Sequence, residues 1–199
     1  MSEATMSEYP LYHPPTGDRA LAELTKAEAR EHFEWFVRQG PERLRLLLSE
    51  AERDGVAPRE LDYSRESLRP LWRWLRTKME AAPLKGKFAE ERMASLPAWF
   101  PEKEKEGALI ELTFPSMAMI LDAGFYVAEV FRRRHPEAVR WSLWLKKNGP
   151  FNQPYLAGFR LPLVPSWLVG GSARQAISGE DHPDVLIELL DRWETYLTL

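Results

Sequence analysis

The chain has 199 residues, of which 44% are hydrophobic and 29% are charged, a composition that predicts one well-cored globular domain rather than two. Its formal net charge is −3, so the sequence as a whole offers no attraction to nucleic acid or to an anionic membrane. The chain has no cysteine, which excludes disulfides, thiol chemistry and thiolate metal sites.

The chain begins with a segment that shows no helical period. Residues 1–20 are polar and contain three prolines, which predicts a flexible N-terminal arm. Tyr9, Leu11 and Tyr12 are the side chains that could hold this arm on the surface. The rest of the chain, residues 21–199, is predicted to form a single α+β domain.

Two short helices are predicted next. Thr25 and Glu28 have the spacing of a capping box, which starts a helix that Gly40 is expected to end. Pro41 suits the first position of a second helix, and Gly55 suits the residue just after its end. Because the joint between them is so brief, we expect an antiparallel helix pair.

The middle of the chain is less regular. Ser64 can cap a third helix, although Pro70 disturbs its first turns. A short helix is predicted at about residues 88–96. The mixed charges of residues 102–106 indicate a solvated connector rather than a binding patch.

A central helix is predicted between Thr113, which can cap it, and Pro136. It is apolar on most of its circumference, as expected of a helix buried among other elements. Gly124 lies within it, and glycine costs a helix about 1 kcal/mol relative to alanine. We therefore predict that a neighbour, Trp141 or Phe159, packs directly against Gly124.

The hydrophobic period then changes from helical to alternating, which indicates strands. Residues 139–145 predict one strand and residues 155–160 a second, with turn residues at 147–150 between them. We expect an antiparallel hairpin that residues 161–164 could extend.

Two helices are predicted after the hairpin. Ser166 can cap a short one that Gly170 and Gly171 weaken, and Asp181 opens a C-terminal one. The predicted fold class is therefore α+β: a mainly helical single domain with a small antiparallel sheet after a central buried helix.

One polar stripe crosses the central helix and supplies the candidate catalytic residues Asp122, Tyr126 and Glu129, with Arg133 beyond them. A carboxylate pair beside a phenol can do acid–base chemistry if burial raises one pKa. However, seven residues separate the carboxylates by about 10 Å along the axis, too far to share one metal ion unaided. The alternative that we favour is structural: Glu129 pairs with Arg133, and Asp122 bonds to Tyr126 or to nearby backbone. No catalytic residue is therefore assigned.

Arg133, Trp141 and Trp144 are the predicted binding residues. Arg133 belongs to a basic run, residues 132–134, at the end of the central helix. Cations there complement the negative end of the helix dipole, so we predict capping of the helix rather than nucleic-acid binding as their role.

Other motifs give little chemistry. Glu28 and His32 stand four residues apart and could form half a metal site, but no HExxH pattern or second histidine accompanies them. Neither a G-x-S-x-G elbow nor a glycine-rich phosphate loop occurs. No metal and no cofactor are predicted.

Three stretches carry a resemblance to known sequences. They are LTKAEAREHFEWFVRQGPERL, LDYSRESLRPLWRWL, and LDAGFYVAEVF followed later by FNQPYLAGF. They resemble a group of small bacterial proteins without assigned activity, and more loosely bacterial immunity-type proteins, which neutralise a partner by surface contact. The resemblance implies a self-contained domain.

The expected function is that of a cytoplasmic binding protein without its own catalysis, of immunity or accessory type, whose partner is another protein. No secretory signal is expected, and Asp122 and Glu129 interrupt the longest apolar run, so no membrane span is expected either. The alternative is an enzyme or small-ligand binder with a carboxylate and tyrosine pocket on the central helix. An exposed apolar patch would favour the first, and a pocket with an unpaired carboxylate the second.

Overall fold

The computed structural model describes residues 9–97, 99, 101, 105–180 and 182–198. The helices are α1 (Lys26–Arg53), α2 (Leu68–Lys78), α3 (Gly86–Ser95), α4 (Lys105–Ala108), α5 (Phe114–Arg134), α6 (Pro165–Ile177) and α7 (Val185–Glu194). Two antiparallel strand pairs accompany them: β1 (Ala81–Pro83) with β2 (Ile110–Leu112), and β3 (Arg140–Leu143) with β4 (Pro154–Ala157). The predicted mainly helical α+β fold is confirmed.

The prediction of two antiparallel N-terminal helices is wrong, because α1 is one continuous helix of 28 residues that contains both Gly40 and Pro41. The predicted capping box of Thr25 and Glu28 is present at its start. An interior proline costs a helix about 3 kcal/mol. Packing against α5 offsets that cost: a Cβ on Gly40 would lie 3.1 Å from the Phe125 ring, so the glycine allows the two helices to approach closely.

The central helix is α5, and it is buried along most of its length. Thr113 caps it as predicted, accepting a hydrogen bond from the Ser116 amide at 3.4 Å. The predicted close contact at Gly124 is confirmed, but the neighbour is Ser166 of α6 rather than Trp141 or Phe159. A Cβ on Gly124 would lie 2.9 Å from the Ser166 backbone.

The hairpin after α5 is confirmed, with Trp141 opposite Leu156 in its register. An isolated bridge from Leu156 to Leu163 extends it, as expected. The sheet of β1 and β2 was not predicted. Each strand has only three residues, too few for a period to be read, and the two are far apart in the chain.

Helix starts differ in detail from the predictions. Ser67 rather than Ser64 precedes α2, and Ser64 Oγ instead accepts a hydrogen bond from the Ser67 amide at 3.2 Å. The first residue of α6 is Pro165, so Ser166 lies inside the helix and does not cap it. Asp181, the predicted opening of α7, lies outside the described residues, as do positions 102–104 of the charged run.

The predicted arm is partly described, since residues 1–8 lie outside the described range. From residue 9 onward the segment lies on the domain, and Tyr9 is only 3% exposed. Tyr9 and Tyr12 do hold it, as the sequence suggested, through hydrogen bonds to α5. Because the two phenols are hydrogen-bonded to Asp122, they fix a segment that its composition had predicted to be flexible.

By length and composition α5 could cross a membrane, although Asp122 and Glu129 had been expected to exclude this. In the fold, 72% of its most apolar window is buried against other elements. This burial is what a core helix shows in a soluble protein.

Candidate functional site

The first half of the polar stripe on α5 is a buried cluster around Asp122. The Asp122 carboxylate accepts hydrogen bonds from Tyr9 Oη at 2.5 Å, from Tyr12 Oη, and from Arg43 Nε at 2.8 Å. Arg43 also donates to the Pro10 carbonyl at 2.9 Å, and its guanidinium lies 4.1 Å from the centre of the Tyr12 ring. These bonds join the N-terminal segment, α1 and α5.

The side chains of this cluster are largely shielded from solvent and hydrogen-bonded to one another. The side chain of Asp122 is 0% exposed and that of Arg43 is 8% exposed. Burial raises the pKa of Asp122, and the bonds from Arg43, Tyr12 and Tyr9 oppose that shift. Burial also raises the pKa of Tyr9 and of Tyr12, so both phenols stay protonated and donate. Asp122 therefore has its oxygens occupied, and it bonds to none of the groups expected from the sequence.

The sequence did not predict that Arg43, Tyr9 and Tyr12 lie beside Asp122. One signal could have found Arg43. It lies on the buried face of α1, three residues after Gly40 and four before Leu47. A cation at an inward helix position requires a buried partner.

Tyr126, the next stripe residue, is also buried and occupied. Its hydroxyl donates to Ser67 Oγ at 2.7 Å and accepts from the Tyr63 amide at 3.0 Å. Its ring stacks on the ring of Tyr63 with centroids 4.6 Å apart. Burial raises the pKa of Tyr126 to about 12. Tyr126 thus supports Tyr63, whose φ of +64° is unusual for a bulky residue.

The second half of the stripe is partly exposed to solvent. Glu129 bonds to Arg132, one turn further along α5, and its carboxylate lies 4.0 Å from Arg133 Nε. The Arg133 guanidinium lies 3.8 Å from the centre of the Tyr63 ring. The predicted pairing of Glu129 with Arg133 is therefore present only at the outer limit of an ion pair, and Arg132 is the closer partner.

This half borders a cavity of about 560 Å³ between α1, α5 and β3, which we call the arginine groove. Its charged lining residues are Arg45, Glu129, Arg132 and Arg133, and its apolar ones include Leu44, Leu48, Phe125 and Trp141. A groove with an apolar lining and a few charged side chains is typical of a ligand site.

The structure brings two of the three predicted binding residues together. Arg133 and Trp141 both line the arginine groove, where the Trp141 ring meets Phe125 edge-on at 5.6 Å. Trp144 does not line it. Its ring lies edge-on to Tyr155 at 5.4 Å within the hairpin, and the backbone of Gly149 packs closely against it.

Glu28 and His32, which could have formed half of a metal site, interact with other side chains. Glu28 accepts from Arg19 at 2.8 Å and from the Thr25 amide, and these bonds hold the pKa of Glu28 at about 2. The Nδ1 atom of His32 lies 3.2 Å from the Oγ1 atom of Thr16. Within the residues that the structure describes, no three acidic or histidine side chains form a group that could hold a metal ion.

A second concave surface lies at β1, β2, α3 and the start of α5, and we call it the α3 groove. Its cavity is about 910 Å³. Phe88 of α3 and Phe114 of α5 line it and are 70% and 71% exposed. Exposed aromatic rings that share one groove are a feature of interaction sites.

No family model, no curated protein and no solved structure matches the chain. The buried cluster around Asp122 joins three parts of the fold, and the two grooves are open to solvent.

Proposed function

We propose that the protein is a cytoplasmic binding protein of immunity or accessory type that docks another protein in its α3 groove and has no catalysis of its own. The observation that carries this proposal is the exposure of Phe88 and Phe114 in one groove. Burying an exposed aromatic side chain contributes about 1.5–3 kcal/mol, so two such rings can anchor an interface.

The state of α3 supports a partner at this place. This helix has ten residues, and none of them is buried. A helix of that length is marginal in water by itself, and packing normally supplies the stability. A partner laid over the groove would supply the apolar contacts that the domain core does not.

Charge indicates the chemistry of the partner. The groove is lined by the cations Lys85, Arg92 and Arg174 and by the carboxylates Glu91 and Glu111. Arg92 and Arg174 both bond to Glu111, at 2.8 and 3.2 Å. Burial by itself would raise the pKa of Glu111, but these two arginines lower it, so this carboxylate is ionised.

One positive charge remains in excess at this surface, on a chain whose net charge is −3. Unlike charges across an interface favour encounter and fix register. The partner segment that fits is therefore apolar, with an acidic residue beside its apolar side chains.

The enzyme alternative has less support. It needs Asp122, Tyr126 and Glu129 in one pocket, and the first two are fully buried with their polar atoms hydrogen-bonded. Glu129 lines the arginine groove, whereas Asp122 and Tyr126 line neither of the two grooves.

Reconstitution with a partner protein tests the docking proposal. A partner would be cross-linked in the native host, identified and purified, and its affinity measured by calorimetry against the parent chain. The double variant Phe88→Ser/Phe114→Ser should weaken binding by at least about a hundredfold, since two anchors are lost. Lys85→Glu should weaken the binding of an acidic partner and reduce its salt dependence.

Leu161→Ser is the matched control, because Leu161 is also exposed, at 54%, and does not line the α3 groove. It should leave the affinity unchanged. Equal affinities of the double variant and the parent would overturn the proposal. Self-association of the parent that the double variant abolishes would instead assign the groove to a second copy of the chain, which would also contradict it.

A further inference from the structure

The arginine groove shares no lining residue with the α3 groove, so it is a separate candidate site. We propose that it binds a small amphiphilic carboxylate, whose carboxylate pairs with Arg133 and whose apolar part packs against Trp141. This inference goes beyond the docking of a protein partner and does not depend on it.

The charges around the groove favour an anion. Arg45 is paired with Glu42 at 2.5 Å, and Arg132 is paired with Glu129. Arg133 lies at the 4.0 Å limit of an ion pair with Glu129, and Asp62, its other acidic neighbour among the described residues, interacts with it through charge alone, so its charge is compensated less closely than those of the other two. A single undercompensated cation suits a monoanion better than a nucleic acid, which needs several phosphate contacts.

Arg133 is also held in a geometry that suits a carboxylate. Its guanidinium lies 3.8 Å from the centroid of the Tyr63 ring, and its side chain is 55% exposed. A ring contact satisfies one face of the guanidinium and leaves N–H groups at its edge free to donate. Those N–H groups form the fork that binds a carboxylate by two parallel hydrogen bonds.

The Tyr63 ring, against which Arg133 lies, is held in place by the buried residue Tyr126. Tyr63 has a φ of +64°, a left-handed backbone conformation that is strained for a bulky residue. The hydrogen bond from its amide to the Tyr126 hydroxyl and the stacking of the two rings hold it there. Tyr126 is thus a positioning residue: it fixes Tyr63, and Tyr63 orients Arg133.

Apart from its charged residues, the lining of the groove is largely apolar. Leu44 and Leu48 of α1 face it together with Phe125 and Trp141. Its volume of about 560 Å³ lies within the roughly 300–1,000 Å³ of small-molecule pockets. A carboxylate without an apolar part would leave most of this lining in water, so the ligand class that fits is amphiphilic.

Decanoate and phenylbutyrate are suitable probes, because they present the same carboxylate on an aliphatic and an aromatic body. Binding would be followed by ¹H–¹⁵N spectra, with the Trp141 indole signal assigned from Trp141→Phe. We expect saturable binding that shifts the Trp141 signal, and binding of decanol at least about tenfold weaker, since the charge-assisted hydrogen bonds are lost.

Variants separate charge from positioning. Arg133→Gln should weaken decanoate binding by at least about tenfold, and Arg133→Lys by less, because lysine keeps the charge but not the fork. Tyr126→Phe should weaken it although Tyr126 does not line the groove, whereas a purely structural role would change only the melting temperature. Arg30→Gln is the matched control, since Arg30 is an exposed arginine of α1 outside the groove.

The proposal would be overturned by no saturable binding of either probe at millimolar concentration, by equal binding of decanol and decanoate, or by unchanged affinity in Arg133→Gln. The variant Phe88→Ser/Phe114→Ser should bind decanoate like the parent. A loss of binding there would place the probe in the α3 groove and would also overturn the proposal. Failure of the carboxylate site therefore leaves the protein-docking proposal standing, and the reverse holds as well.

Discussion

The two halves of the polar stripe on α5 differ in burial, and that difference decides what each can do. Asp122 and Tyr126 are 0% exposed and have hydrogen-bond partners from the N-terminal segment, α1 and the loop before α2. Glu129 and Arg133 lie about two turns further along and border an open groove. Polar residues on one helix face thus serve the fold at one end and remain accessible to solvent at the other.

The largest expected effect is at the buried end. Asp122→Asn removes the charge that compensates Arg43, and breaking a buried ion pair from one side costs about 3–5 kcal/mol. The free energy of unfolding, measured by urea titration, should fall by that amount.

Replacing both partners sharpens this test. Asp122→Asn combined with Arg43→Met should lose less stability than the single variant, because no buried charge remains unpaired. A single variant whose stability stays within about 1 kcal/mol of the parent would contradict the view that the cluster holds the fold.

The next effect concerns how tightly α5 is enclosed. Gly124→Ala places a Cβ 2.9 Å from the Ser166 backbone, so α6 must move. Overpacking of this kind costs about 1–3 kcal/mol, which thermal unfolding would show. Gly171→Ala is the control, because nothing lies within 4 Å of its Cβ, and it should stabilise by up to about 1 kcal/mol. Equal melting temperatures for the two variants would refute the close contact.

A smaller effect is expected at the open end. The side chain of Glu129 is 22% exposed and its partner Arg132 is 42% exposed, so Glu129→Gln should change the free energy of unfolding by less than about 1 kcal/mol. A loss as large as that of Asp122→Asn would remove the distinction between the two halves of the stripe.

The smallest effect is a pH dependence near the N-terminal segment. Burial lowers the pKa of His32 below its ordinary 6.5. The unfolded chain therefore binds a proton at His32 before the folded one does, and stability should fall as the pH drops below 6.5. The difference in unfolding free energy between the parent and His32→Gln, measured from pH 7 to pH 5, checks this. A difference that does not vary with pH would contradict it.

Local patterns in the sequence were enough to predict several parts of the fold. The capping box at Thr25, the buried helix after Thr113 and the hairpin around Trp141 all follow from the spacing of neighbouring residues. The fold class follows from the same patterns. Gly124 also indicated a close contact, because a helix interior rarely includes a glycine without a packing reason.

What only the tertiary structure decided are the pairings between distant residues. Pro41 reads as a helix start, yet α1 continues through it because α5 packs alongside. Asp122 is bonded to Tyr9 and Arg43, which lie 113 and 79 residues away, and no local spacing specifies such partners. The sequence determined that α5 carries a polar stripe, and the packing of the other elements determined which half is buried, because burial depends on what lies opposite each residue.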